Sequence, residues 1–425
     1  MKIAIVGSGI SGLATALALQ EKHEVSLFEK NNRLGGHSNT VSIEQDNSRY
    51  NVETGFIVLN DKNYPIFSKL LKYLDIGINN SSMSFSVSVD KGEFEYSSSY
   101  MGLISQTKNI VDPKYWSMLR DINYFYNNAL KDAESCPDNE TMGEFLNRFN
   151  YSKKFIEYHL VPMTASIWSC PKKSILNFPI KSLLLFFENH KLLNIYNRPN
   201  WSTIQNGSIE YVKKIEQLLK GKIYKGANVT KISQAKGSVN IHSSLGVKKF
   251  DEVILACHAD QSFNLVKENF IDQANLLQNF KYQKNISILH SDIHYMPKRK
   301  SVWSSWNYLT ETGNSGNLSV TYWMNELQKI RSNLPILLSL NPKKLPDPEL
   351  IYGQYSYSHP VFDANAFEVQ NNLNKLQGKN NIWFCGAWTG FGFHEDGIKS
   401  AAEIAQLFNI KLPWLNSEEV LYAAQ

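Results

Sequence analysis

Lys2-Ile3-Ala4-Ile5-Val6-Gly7-Ser8-Gly9-Ile10-Ser11-Gly12 begins with an apolar strand, passes directly into a G-x-G-x-x-G turn, and is followed by the helix-forming run Leu13-Ala14-Thr15-Ala16-Leu17-Ala18-Leu19. That context carries more weight than the glycines alone. The first glycine permits a tight turn, the second lets a pyrophosphate approach the backbone, and the third lets helix and strand pack closely. The helix N-terminus adds free N–H groups and partial positive charge. A second strand, Val25-Ser26-Leu27-Phe28-Glu29, ends on an acid 17 positions after Gly12. Glu29 is therefore expected to accept hydrogen bonds from ribose hydroxyls, which disfavours a 2′-phosphate and so NADP.

Two further segments extend the reading from a dinucleotide to FAD. Arg33-Leu34-Gly35-Gly36 supplies a second stretch of bare backbone just past the ribose acid, and Arg33 can offset phosphate charge. Near the other end, the strand Ile382-Trp383-Phe384-Cys385 leads into a loop with glycines at 386, 390 and 392, then Phe393-His394-Glu395-Asp396 and a helix from about Gly397. Its N–H groups would face the flavin pyrimidine. Glu395 and Asp396 either contact the cofactor or cap that helix. The expected cofactor set is Gly7, Ser8, Gly9, Ile10, Ser11, Gly12, Glu29, Lys30, Arg33, Leu34, Gly35, Gly36, Gly386, Ala387, Glu395, Asp396, Gly397 and Ile398.

Three separated stretches show the strand and helix alternation of a doubly wound sheet, the middle one carrying Ile223 to Ile232, Val239 to His242 and Asp251 to Ala256. The fold class is α/β: a Rossmann-type FAD-binding domain from 1–60, 200–270 and 375–412, interrupted by an α+β substrate domain from 61–199 and 271–374, with a tail at 413–425. A length of 425 residues accommodates both.

The residues Gly7 to Gly12, Glu29 and Arg33-Leu34-Gly35-Gly36 resemble the N-terminal signature of the flavin-containing amine oxidase superfamily, which includes monoamine oxidases, protoporphyrinogen oxidases and carotenoid desaturases. Glu53-Thr54-Gly55-Phe56-Ile57, Arg198-Pro199-Asn200-Trp201, Ser305-Trp306-Asn307-Tyr308-Leu309, Thr321-Tyr322-Trp323-Met324-Asn325, His359-Pro360-Val361-Phe362 and Gly392-Phe393-His394-Glu395-Asp396-Gly397 resemble a bacterial group of predicted NAD/FAD-binding oxidoreductases within it. The resemblance implies non-covalent FAD, a backbone contact from Val229 to adenine, Ala256 beside the dinucleotide, and Gly55 and Phe56 near the isoalloxazine. The group's frequent association with enzymes resembling cyclopropane-fatty-acid synthases points to lipid acyl chains. Phe393 falls where amine oxidases tend to place a cage tyrosine, which weakens an amine reading.

With 43% hydrophobic and 20% charged residues the composition is that of a globular chain, and its longest purely apolar run, Leu183 to Phe187, cannot span a bilayer. The N-terminus lacks the pattern of a secretory signal, so a cytoplasmic location is expected. Cys136, Cys170, Cys257 and Cys385 show neither disulfide nor metal spacing. A formal charge of +5 without a Lys/Arg block argues against nucleic acid and leaves peripheral contact with an anionic membrane open.

Only one dinucleotide fingerprint is present, so the substrate itself must reduce the flavin, and oxygen, a quinone or a carrier protein must take the electrons onward. The leading expectation is an FAD-dependent desaturase or dehydrogenase of a lipid acyl chain; an amine oxidase releasing peroxide and a fatty-acid double-bond isomerase are the alternatives. His394 and His359 are the acid or base candidates, each with a structural hydrogen bond as the competing role. Trp168, Trp306, Tyr322, Tyr357 and Phe393 are expected to line an apolar tunnel, against ordinary core packing. His37 and His190 are assigned to packing or phosphate contact. Cys385, ending a buried strand, is read as core.

Overall fold

The computed structural model describes residues 1–168, 172–189, 191–194, 199–311 and 319–415. Cys170, His190, Arg198 and the side chain of Trp168 lie outside the described residues.

A five-stranded parallel sheet organises the nucleotide half, in the order Ile382–Phe384, Glu252–Leu255, Lys2–Val6, Glu24–Phe28 and Lys222–Tyr224. Its strands read as short continuous apolar runs because both faces are covered. On one face, all ten residues of the helix Ile10–Leu19 are buried, which explains its run of small and aliphatic side chains. It packs against the helix His394–Leu407, whose Ile398, Ala401, Ala402 and Ala405 are also buried. Cys385 sits beneath this contact, 3.8 Å from Thr15 Oγ1, and burial pushes its thiol up to about 12. A neutral thiol in that position is core.

Two boundaries differ from the sequence expectation. Ile223 to Ile232 is not one strand: Lys222–Tyr224 completes the parallel sheet, while Val229–Ala235 opens a separate antiparallel sheet with Ser238–Ser243 and Gly246–Phe250. A turn through Gly226, at φ +68°, separates them. The last helix starts at His394 rather than near Gly397, because Asp396 accepts hydrogen bonds from the N–H groups of Phe391 at 3.1 Å and Phe393 at 2.8 Å and so fixes the helix start upstream of itself.

The second large sheet has seven strands, in the order Ile351–Pro360, Tyr282–His290, Leu337–Leu340, Ser319–Trp323, Trp306–Thr310, Phe85–Val89 and Phe94–Ser97. All its pairings are antiparallel except that of Trp306–Thr310 with Phe85–Val89. Helices between residues 100 and 189 pack beside it. Among the described residues, no helix is long and apolar enough to cross a membrane.

Candidate flavin and substrate site

Gly7, Glu29, Ala256 and Gly386 each follow the C-terminal end of a parallel strand, which is where an open α/β sheet binds its ligand. The glycine loop there is shaped by close approach. A Cβ on Gly12 would collide with the Gly7 carbonyl oxygen, and one on Gly7 would lie 2.6 Å from the Ala256 carbonyl oxygen. Gly9 is the exception: a Cβ there would meet nothing within 4 Å. Bare backbone at the helix N-terminus thus faces open space, the geometry a pyrophosphate requires.

That space is a cavity of about 420 Å³. Its wall takes Gly7, Ser8, Gly9, Ile10, Ser11, Glu29, Lys30, Arg33, Gly35, Gly36, Gly55, Phe56, Ala256, Gly386 and Ala387 from the expected cofactor set, together with Tyr357, His359, Phe393 and His394. Glu29 lies at the end of the second strand, accepting hydrogen bonds from Ser8 Oγ at 2.6 Å and from the N–H of Asn31 at 2.8 Å. Arg33 lines the cavity, but its guanidinium donates to the carbonyls of Gly36 at 2.9 Å and Ser38 at 3.2 Å, so it also braces the second glycine loop.

Seven expected cofactor residues are not on the wall. Gly12 lies beneath the turn, and Leu34 and Ile398 are buried in the core. Gly397 is where helix Ile10–Leu19 crosses the last helix; a Cβ there would lie 2.7 Å from Ile10 Cγ2. Asp396 caps its own helix, as above. Glu395 caps another: its oxygens accept from the N–H groups of Ile66 at 2.7 Å and Phe67 at 3.0 Å in the first turn of the helix Pro65–Tyr73. Val229 begins a strand just after Ala227, whose N–H donates to the Glu29 carbonyl at 2.9 Å. Of the expected tunnel residues, Trp306 and Tyr322 are also off the wall: they pair on adjacent strands, edge to face with centroids 4.9 Å apart.

The wall gains residues that the sequence reading missed or set aside. His37, His258 and His359 gather at its centre, the His37 ring lying 5.5 Å from each of the other two and 5.1 Å from Tyr357. His258 stacks on Tyr282 at 4.6 Å, and its buried Nδ1 has no hydrogen-bond partner among the described residues. His359 Nδ1 pairs with Asn285 Nδ2 at 2.6 Å. His394 stacks on Phe56 at 3.9 Å, and its Nε2 meets Tyr211 Oη at 2.8 Å. Removal from water pushes His37 down to about 4 and His258, His359 and His394 down to about 3, so all four rings are neutral at physiological pH. His258, two residues past Ala256, carried a usable signal: its place after a parallel strand.

These shifts set a pH dependence. Groups neutral in the fold but protonated in the unfolded chain contribute stability that is complete above the ordinary value of 6.5 and is lost as pH falls toward 3 to 4. Glu53 and Glu395, pushed up to about 7 by burial, oppose this: their contribution is lost as pH rises from about 4.5 to 7. Replacing His359 and His394 by Gln, which does not titrate, is expected to flatten the loss of stability between pH 6.5 and 4, each ring accounting for up to about 1.4 kcal/mol per pH unit. Urea unfolding across that range measures it; a slope equal to the parent's would contradict neutral burial.

A parallel-sheet dinucleotide cradle joined to an aromatic chamber defines an FAD-dependent oxidoreductase. The chain belongs to the flavin-containing amine oxidoreductases, whose family model matches residues 10–408. Over 69 residues it is 35% identical to a 4,4′-diapophytoene desaturase (4,4′-diaponeurosporene-forming) of Staphylococcus aureus (strain MRSA252), a match spanning 16% of this chain and only 13% of that relative's length. Among solved structures it is similar to a CLA-producing fatty acid isomerase from P. acnes, with a TM-score of 0.65, 13% identity, and coverage of 96% of this chain and 98% of that one. Cyclohexylamine oxidase from Brevibacterium oxydans IH-35A gives a TM-score of 0.65 at 14% identity, covering 96% and 99%. At such identities the likeness is one of fold.

Proposed function

We propose that this enzyme desaturates or dehydrogenates an apolar acyl chain, such as an unsaturated or methyl-branched fatty acyl group. One observation carries the reading: away from Glu29, Lys30 and Arg33, the cavity wall bears, among the described residues, no side chain that is charged at neutral pH. Phe56, Ile167, Trp388 and Phe393 are apolar, the four imidazoles are neutral, burial raises the phenols of Tyr64, Tyr282 and Tyr357, and the Cys257 thiol is pushed up to about 11. Such a wall favours hydrocarbon and, away from Glu29, offers a cationic headgroup no carboxylate. The desaturase and the isomerase named above have hydrophobic substrates by their names, which supports the same choice.

FAD, when bound, supplies the two-electron oxidation by accepting a hydride from carbon. The chain's part is to hold the substrate dry and oriented, while a proton leaves the neighbouring carbon and oxygen, a quinone or a carrier protein takes up the electrons. His394, neutral and held through Nε2 by Tyr211, is the wall group able to accept that proton; His359 Nδ1 already accepts from Asn285 Nδ2, so its neutral ring carries its hydrogen on Nε2 and serves as a donor.

The test is anaerobic bleaching of the bound flavin against a panel of acyl lipids and amines, followed by mass analysis of the product. Bleaching by an acyl lipid with a product lighter by two hydrogens is the expected outcome. Bleaching by amines alone, with aldehyde formed and peroxide released on admitting air, would replace this reading with amine oxidation. A product of unchanged mass would make the enzyme an isomerase.

A further inference from the structure

Sharing no residue with the wall of the flavin cavity, the helices Tyr100–Ile104 and Thr107–Ile110 and the start of the helix Pro113–Glu134 adjoin one another and form one face. They are fastened together: Tyr115 Oη donates to the Leu103 carbonyl at 3.0 Å, and Trp116 Nε1 donates to the Ile110 carbonyl at 2.7 Å. Its outside is mostly apolar, with Thr107, Lys108 and Lys114 exposed beside the hydrophobic side chains. Tyr100 is 78% exposed, Met101 63%, Val111 80% and Trp116 54%, with Ile104 and Ile110 also exposed. Isolated exposed apolar residues are ordinary, but six large ones between positions 100 and 116 form a patch of the kind that marks an interaction site. Val111, Pro113, Trp116 and Arg120 line an open groove within it.

Charge decides what the patch meets. Lys298, Arg299 and Lys300 run along its border, where the turn Lys300–Val302 packs on the helix Tyr100–Ile104. Glu95 locks this run in place, accepting from the N–H groups of Lys298 at 2.7 Å and Arg299 at 3.2 Å and from Arg299 Nη1 at 2.8 Å. Glu95 is fully buried and turns Arg299 inward, leaving Lys298 and Lys300 exposed. The acids nearby are already matched: Glu93 with Lys108 at 2.9 Å, and Asp112 with Lys154 at 2.6 Å. Lys298 and Lys300 are exposed and make no ion pair among the described residues. Apolar and aromatic side chains bordered by exposed lysines complement an anionic bilayer, in which the former enter the interface and the latter meet headgroups.

We propose that this face docks the protein on the surface of an anionic lipid bilayer, with Tyr100, Met101, Val111 and Trp116 entering the interface and Lys298 and Lys300 contacting lipid phosphates. The inference stands on surface chemistry, so it does not depend on which substrate the cavity takes.

Flotation of the flavin-loaded protein with phosphatidylcholine vesicles, with and without phosphatidylglycerol, tests it without any turnover. The protein is expected to float with the anionic vesicles and to be released by high salt. The double variants Met101→Asp/Val111→Asp and Lys298→Glu/Lys300→Glu should each weaken vesicle affinity about tenfold or more, with flavin content and unfolding midpoint unchanged. Failure of the parent to float with phosphatidylglycerol vesicles would overturn the proposal, as would flotation that neither variant alters. Self-association of the parent that Met101→Asp/Val111→Asp abolishes, without vesicle binding, would assign the face to a second copy of the chain instead.

Discussion

Gly9→Val yields a folded but colourless protein, whereas Gly12→Val yields little folded protein at all. The two glycines are three positions apart in one turn, yet they answer to different constraints. Gly9 has φ −66° and ψ −178°, a conformation open to any residue, and a Cβ there touches nothing within 4 Å. Valine at position 9 therefore leaves the flavin-free fold within about 1 kcal/mol of the parent and fills the space where the pyrophosphate must meet backbone, weakening FAD binding about 100-fold or more. Valine at position 12 forces its Cβ onto the Gly7 carbonyl, and the strand and helix must separate to relieve it, at a cost of about 3–5 kcal/mol. Absorbance of the bound flavin and circular dichroism of the purified variants separate the outcomes. A yellow Gly9→Val protein with parental affinity would show that the cofactor does not lie against this turn.

Glu395→Ala is expected to destabilise the protein by about 3–5 kcal/mol, although its carboxylate touches neither the cavity nor any cation within ion-pair distance among the described residues. The reason lies in the helix Pro65–Tyr73. Proline at its first position has no N–H to satisfy, and Glu395 takes the next two, those of Ile66 and Phe67. Removing the acceptor orphans both donors where water has little access. It also loosens Tyr64, which immediately precedes that helix and lines the cavity, so FAD affinity falls with stability. Glu395→Gln keeps one acceptor oxygen and is expected to cost about 1–2 kcal/mol. Denaturant unfolding of flavin-free protein gives both values, and a change under about 0.5 kcal/mol in the alanine variant would refute the capping role.

The contrast between these two predictions marks what could be read from the chain beforehand. The turn at Gly7 to Gly12, the acid at Glu29 and the glycine pair at 35 and 36 are local: each needs only its neighbours and the strand before it to declare its conformation. Glu395 was recognised as a cap or a contact, but the helix it caps lies more than 300 positions away, and no pattern near Glu395 names Ile66 as its partner. The histidine cluster is hidden for the same reason. His37 follows the second glycine loop, His258 follows a strand of the parallel sheet, and His359 lies within a strand of the other sheet, opposite Gln283. Trp306 and Tyr322 show the converse case. Aromatic abundance suggested a tunnel, but strand pairing decides which faces meet, and it turns these two toward each other.

The parallel sheet also dictates a timetable. Its first strand, Lys2–Val6, is held on one side by Glu252–Leu255, and that strand in turn by Ile382–Phe384, so the flavin-binding half is incomplete until residue 384 has been made. A nascent chain emerging from the ribosome carries the phosphate loop long before the His394 segment that closes the other end of the same cavity. A complete cofactor cradle therefore cannot form before the His394 segment has emerged, and until the helix His394–Leu407 packs on Ile10–Leu19 that apolar helix lacks its cover.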